Sequence, residues 1–210
     1  MADLLELSTR IIDSGVADEP VNRITNELSE LADGLAIVES FSHSVVLDAD
    51  GEVVAFDASH ARTGGAVVDA IRAWSPHPVR HLVYTHGHAD HVGGSPAFAA
   101  AYGDVGVIGH RNVDARFDRY RYTNDWNLRI NARQFGGVKG DIGLGDASGD
   151  GIGEFIPGDT LRPDRVVDDH DSFTVGDRTI ELHHARGETD DHLWGWMPEE
   201  RWAVVGDFVI

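Results

Sequence analysis

Residues 83–94 read "VYTHGHADHVGG". The apolar lead-in, "VRHLV" at 79–83, has the length and β-branched content of a buried strand. It runs straight into His86, His88, Asp90 and His91, and Gly93 and Gly94 follow as a turn. Imidazole nitrogen is the commonest protein donor to zinc, and a carboxylate oxygen suits the same borderline cation. On an extended backbone, residues two apart point to the same side, so His86 and His88 can grip one ion. Asp90 and His91 fall where the chain turns and can face a second ion beside it. A lone loop histidine is ordinarily just solvated, and a His-x-His pair by itself is weak evidence. Four donor side chains within six residues at a strand end have no packing purpose that explains them.

Outward from this stretch, strands and helices alternate. Upstream, "RTGGAVVDAIRAW" places Val67, Val68, Ile71 and Trp74 on one helical face, and Pro76 and Pro78 stop the helix. Before it, "SVVL" and "EVVAF" flank "DADG", a hairpin signal. Residues 1–34 read as an N-terminal helical lead-in, from Leu4, Leu5, Leu7, Ile11 and Ile12 and a weaker pattern at Ile24, Leu28 and Leu31. Downstream, "SPAFAAAY" offers Ser95 as N-cap, Pro96 at the first helical position and Gly103 as the stop. A buried strand "VGVIGH" and a helix over about 111–121 follow.

Residues 122–165 change character, becoming rich in Gly, Asp and Asn, and read as an irregular insertion into a domain spanning 35–210. Within them "DASGDGIGE" resembles a calcium loop, but Pro157 stands where the bidentate Glu belongs, so it reads as a surface loop. Strands resume at "DSFTVGDRTIELHHA", "HLWGWMP" and "RWAVVGDFVI". The pattern predicts a layered α/β (α+β) domain with mixed sheets.

Composition narrows the function class. The 210 residues carry a formal charge of −19, which argues against a surface built for nucleic acid or anionic membrane while leaving room for a basic pocket inside an acidic shell. Lys139 is the single lysine, and with no cysteine there are neither disulfides nor thiolate ligands. No apolar window has the length of a membrane span, and the N-terminus lacks the pattern of a signal peptide. A cytoplasmic protein acting on a small molecule is the expectation.

Two later motifs complete the site. "HHARGETDDHLW" at 183–194 holds three carboxylates and three histidines around Gly187, and "WAVVGD" is an apolar strand ending in Gly206-Asp207. With "THGHADHVGG" they make the chain resemble the metallo-β-lactamase superfamily, from about Leu35 to the C-terminus. The resemblance implies an αββα sandwich with one or two zinc ions at its edge. It also implies His86, His88 and Glu188 on the first metal, and Asp90, His91 and a bridging Asp207 on the second. The common family pattern has His where this chain has Glu188. A carboxylate there, within "GETDDHLWGWMPE", resembles the alkyl- and arylsulfatase branch and can shift metal preference toward manganese or iron.

The implied reaction is hydrolysis of a sulfate ester, with a water ionised between two cations as nucleophile and Asp90 orienting or deprotonating it. Other esters, lactones, thioesters and β-lactams are the alternative substrates. Arg121, Arg129, Arg133 and Arg186 are candidates to neutralise the anionic ester, and Tyr120, Tyr122, Trp126 and Phe135 to line an apolar pocket. His192, and one of His183 and His184, can support a ligand from behind; the remaining histidines read as structural or solvated. The family also expects a further strand, helix and final His ligand after Asp207. The fold is therefore expected to be C-terminally incomplete, with a homo-oligomer or second chain supplying the rest. A catalytically silent metal-binding subunit completed by such a partner is the competing reading.

Overall fold

The computed structural model describes residues 4–17, 23–134 and 153–208. After helix α1 (Leu4–Ser14), seven strands form one sheet in chain order. They are β1 (Leu28–Ala32), β2 (Leu35–Val38), β3 (Ser44–Ala49), β4 (Glu52–Phe56), β5 (Val79–Val83), β6 (Gly106–His110) and β7 (Arg165–Val167). Pairing is antiparallel from β1 to β4 and parallel from β4 to β7. The parallel half has helical crossovers, α2 (Gly64–Trp74) before β5 and α4 (Ser95–Tyr102) before β6. A second, antiparallel sheet has the order β11 (Trp202–Val204), β10 (Leu193–Met197), β9 (Arg178–His184), β8 (His170–Val175).

Strand periodicity decides which core each side chain enters. On β4, Val53 and Ala55 face the helices, in one cluster with Val67, Val68 and Ile71 of α2, Phe98 of α4 and Phe117 of α5 (Val113–Tyr122). Val54 and Phe56 face the other way and meet Ile180, Leu182, Leu193 and Met197 of the second sheet. The described layers thus run helix, sheet, sheet. The two sheets approach closely at Gly195, where a Cβ would lie 2.7 Å from the Phe56 ring. A Gly195→Ala change would displace that ring or part the sheets, at a cost of about 1–3 kcal/mol.

Three expectations change. The weak pattern around Ile24, Leu28 and Leu31 is not helical at its end: Leu28–Ala32 is β1, and pairing with β2 overrides a propensity that was never strong. The irregular stretch from 122 opens instead with helix α6 (Asn124–Gln134). Ser95 does not cap α4. Gly94 is the N-cap, and the buried Ser95 Oγ accepts the Leu161 N–H at 3.0 Å, tying the chain after the insertion to α4. Residues 146–152 of the calcium-like loop, which include all its candidate donors from Asp146 to Asp150, and Phe135 lie outside the described residues.

The parallel strands place the chemistry. β4, β5 and β6 all deliver their C-terminal ends to one edge, the position where open α/β sheets bind ligands.

Candidate metal centre

Three segments meet at that edge. The first leaves β5, passes His86, Gly87 and His88, and enters the single helical turn α3 (Ala89–Val92), with His88 as its extended N-cap. The second is the β9–β10 connection carrying Glu188, and the third is the 3₁₀ turn Gly206–Phe208 after β11. The first two are joined by backbone: the Leu193 N–H donates to the Thr85 carbonyl at 2.6 Å.

His86 Nε2, His88 Nδ1 and Glu188 Oε2 form a triangle with edges of 3.0, 3.2 and 2.8 Å. Tetrahedral donors about 2.0–2.1 Å from zinc stand about 3.3 Å apart. Two imidazoles and a carboxylate at that spacing are a donor set for a divalent cation, with no rearrangement beyond a few tenths of an ångström. A second group joins His86, His91 and Asp207, with His91 Nε2 to Asp207 Oδ2 at 3.4 Å. Asp90 Oδ2 is farther out, 3.8 Å from His91 Nε2, and accepts a 2.6 Å hydrogen bond from Ser42 Oγ. His86 therefore belongs to both groups, where the sequence places it in the first alone.

Electrostatics follow from the crowd of donors. Burial pushes the His91 imidazolium down, but Asp57, Asp207 and Asp90 outweigh it and its pKa stands well above the ordinary histidine value. A hydrogen bond to His91 pulls Asp207 down to about 2, and one to His86 lowers Glu188. His88 is lowered by burial and by the neighbouring His86. Both carboxylates are thus ionised near neutral pH, as metal binding needs.

Behind the ligands stand two carboxylates that sequence reasoning overlooked. Asp57, at the end of β4, accepts from His91 Nδ1 at 2.7 Å, from the Thr85 N–H at 2.7 Å and from Thr85 Oγ1 at 2.6 Å. This holds the His91 ring with Nε2 facing Asp207. Asp57 has φ 63°, a left-handed conformation uncommon for a non-glycine residue and tolerated best by Asp and Asn. Its signal was legible: "VVAFD" is an apolar strand ending in Asp, the same pattern as "AVVGD". Asp191 is fully buried and accepts from the Gly87 N–H at 3.0 Å, from Arg116 Nε at 2.9 Å and from Thr189 Oγ1. Arg116 reaches Asp190 as well. This cluster clamps the His86–His88 turn to the Glu188 loop, and nothing in the sequence distinguishes Arg116 from its surface neighbours on α5.

His192 is the wall of the site. Its buried ring stacks on His86 at 4.8 Å and 9°, Nε2 meets the Val205 carbonyl at 3.1 Å, and burial lowers its pKa to about 4. A Cβ on Gly187 would lie 2.5 Å from His192 Nδ1, and one on Gly206 2.8 Å from its Nε2. Gly187 is therefore required for space beside His192, where the sequence reading made it a turn pivot; Gly206, at φ 51°, is required for conformation as well.

The other candidates disperse. Tyr122 and Trp126 are 91% and 63% exposed, and Arg129, Arg133 and Arg186 are exposed. Arg121 donates to the Gly158 carbonyl at 3.1 Å. Among the described candidates Tyr120 alone is buried near the centre, its ring 6.3 Å from His88 and edge-on to Phe155. His184 stacks on His110 and bonds the Asp190 carbonyl, while His183 stacks on Trp194.

The two-sheet architecture and the donor groups at the strand ends define the class. The sequence model of the metallo-β-lactamase superfamily matches residues 37–210, and the chain belongs to that family. Solved structures agree in fold. A metallo-β-lactamase with a HARLDQ motif from Cronobacter sakazakii superposes with a TM-score of 0.58 at 19% identity, over 87% of this chain and 61% of that one. The sec-alkylsulfatase Pisa1 from Pseudomonas sp. gives 0.64 at 18% identity, over 83% of this chain and 30% of that one. BJP-1, a subclass B3 metallo-β-lactamase of Bradyrhizobium japonicum, gives 0.59 at 17%, over 87% and 60%. The chain thus spans about three fifths of the two β-lactamases and less than a third of the sulfatase. No curated protein sequence matches it significantly. Among the described residues no helix is long and apolar enough to cross a membrane.

Proposed function

We propose that this chain carries the metal-binding part of a hydrolase for sulfate esters of alkyl or aryl alcohols. The carrying observation is Glu188, whose carboxylate closes the triangle with His86 and His88 inside "GETDDHLW". His86, His88 and Glu188 would hold one divalent cation, zinc by donor type, and His91 and Asp207 with Asp90 would hold a second. Such cations would supply Lewis acidity there and lower the pKa of a water at the site toward 7. Asp90, anchored by Ser42 and facing His91, is placed to orient that water and take its proton. Asp57 and Asp191 keep the imidazoles and the Glu188 loop in register. Tyr120 offers a partly apolar wall beside His88 for the alcohol part, and Arg186, two residues before Glu188, is an exposed cation available to the sulfate. The Pisa1 sulfatase shares the fold, as do β-lactamases, so the carboxylate and not the architecture favours the sulfate reading.

The test combines metal analysis with a substrate panel. The expected result is about two equivalents of metal at the strand-end centre, lost on substitution of its donors, and turnover of an aryl or alkyl sulfate, by this chain or on addition of a second chain. Hydrolysis of lactones, thioesters or β-lactams without sulfate release overturns the assignment. Metal uptake without turnover under any pairing supports the silent-subunit reading instead. A Glu188→His variant that gains lactonase or lactamase activity would likewise argue against sulfate esters.

A further inference from the structure

The second sheet carries a metal-donor set of its own, on its outer face. Ile180 and Leu182 of β9 point into the core between the sheets, so Glu181 and His183 point away from it. His170 on β8 is the direct cross-strand partner of His183. Glu181 Oε2 stands 3.1 Å from His183 Nε2, and one donor atom each from His170, Glu181 and His183 lie within 4.8 Å of one another. The His170 and His183 rings are 4.8 Å apart. On the other side of His183, Trp194 of β10 stacks on its ring at 4.6 Å and 23°, which restrains the imidazole from swinging away.

We propose that His170, Glu181 and His183 form a further site for a divalent transition-metal ion of the zinc class, separate from the centre at the parallel strand ends. An i, i+2 pair on one strand and a directly opposed residue on the next present three donors to one point above a sheet. Closing the site to the separation of about 3.3 Å that tetrahedral zinc needs takes a rotation of His170 alone, because that side chain is exposed and the other two already meet. Two imidazoles with one carboxylate and open positions for water select zinc, nickel or copper over calcium and magnesium. The bound ion pins β8 to β9 and is sensed by Trp194.

The experiment compares the full chain with His170→Ala and His170→Gln, both at an exposed position that leaves the core intact. Zinc uptake is counted by equilibrium dialysis, and tryptophan fluorescence is followed during titration with nickel alone. The expected result is about one equivalent less zinc in both variants than in the parent, with the metals of His86, His88 and His91 retained. Nickel quenches the parent's fluorescence, and the quench is lost in either His170 variant and in Trp194→Phe. Glu181→Gln should weaken nickel binding at least about tenfold. Equal zinc uptake by parent and both His170 variants, or a nickel quench that persists in Trp194→Phe, overturns the proposal.

Discussion

The two donor groups at the strand ends are built differently. His86, His88 and Glu188 close to 2.8–3.2 Å, and a buried network behind them locks both contributing segments together. His91 and Asp207 stand 3.4 Å apart, Asp90 sits at 3.8 Å, and the hydroxyl of Ser42 lies between Asp90 and His91. The first group is preorganised through Arg116 and Asp191, which neutralise each other inside the protein. The second depends on one carboxylate, Asp57, and on a short 3₁₀ turn. The tighter group is the one backed by a buried, charge-balanced network, and the looser group has fewer such ties.

Perturbations should separate the two groups. His86→Ala, which removes a donor of the first group that also lies beside the second, has the largest expected effect: metal analysis should show loss of the first ion and weaker binding of the second, and hydrolysis should fall to background. Retention of full metal content would dissolve the whole centre. Arg116→Leu strands the buried Asp191 charge, so urea denaturation should show a loss of about 3–5 kcal/mol, together with weaker binding at the first group. Asp57→Asn should act on the second group, lowering affinity for one ion by about 10–100-fold while the ion of His86, His88 and Glu188 stays. Loss of both ions together would show the groups to be one unit.

The pH response sharpens the contrast between the two buried histidines. His192 has its folded pKa depressed from 6.5 to about 4, chiefly by burial. The unfolded chain therefore takes up its proton first, and stability carried by neutral His192 is present above pH 6.5 and lost as pH falls toward 4. His91 is opposite in sign: its raised folded pKa adds stability that is complete below the ordinary histidine value and lost as pH rises through the folded one. Denaturation of metal-free protein at about pH 7 and 5 should show a His192 contribution on the order of 1–2 kcal/mol, absent in His192→Gln. The smallest effect belongs to Tyr122→Ala and Trp126→Ala. Both side chains are exposed, so stability should stay within about 0.5 kcal/mol. A rise in KM for an aryl sulfate would place them on the substrate path.

Much of this was legible along the chain, unevenly. The hairpin at "DADG" forms as its turn residues require, with Asp50 and Gly51 both at positive φ. Helix α2 and strands β5 and β6 follow their apolar periodicity because local pattern and burial agree there. Leu28–Ala32 misled because its pattern was weak and its partner strand, not its composition, decided it. Ser95 had the composition of a cap and the geometry of a buried acceptor. His170 has no partner spacing along the chain because its neighbour His183 is reached only through strand pairing.

The family and a cluster of candidate donors are legible along the chain, since His86, His88, Asp90 and His91 are spaced by local backbone geometry that six residues specify. The sequence also singled out Glu188 among several acids by its place after Gly187. That His86 lies beside both groups, that Asp57 and Asp191 back the candidate donors, and that Gly187 is glycine for the sake of His192 came from the tertiary structure. Each of those relations joins residues on separate segments or turns on the space left between them. Strand pairing and sheet packing create such contacts, and no local spacing encodes them.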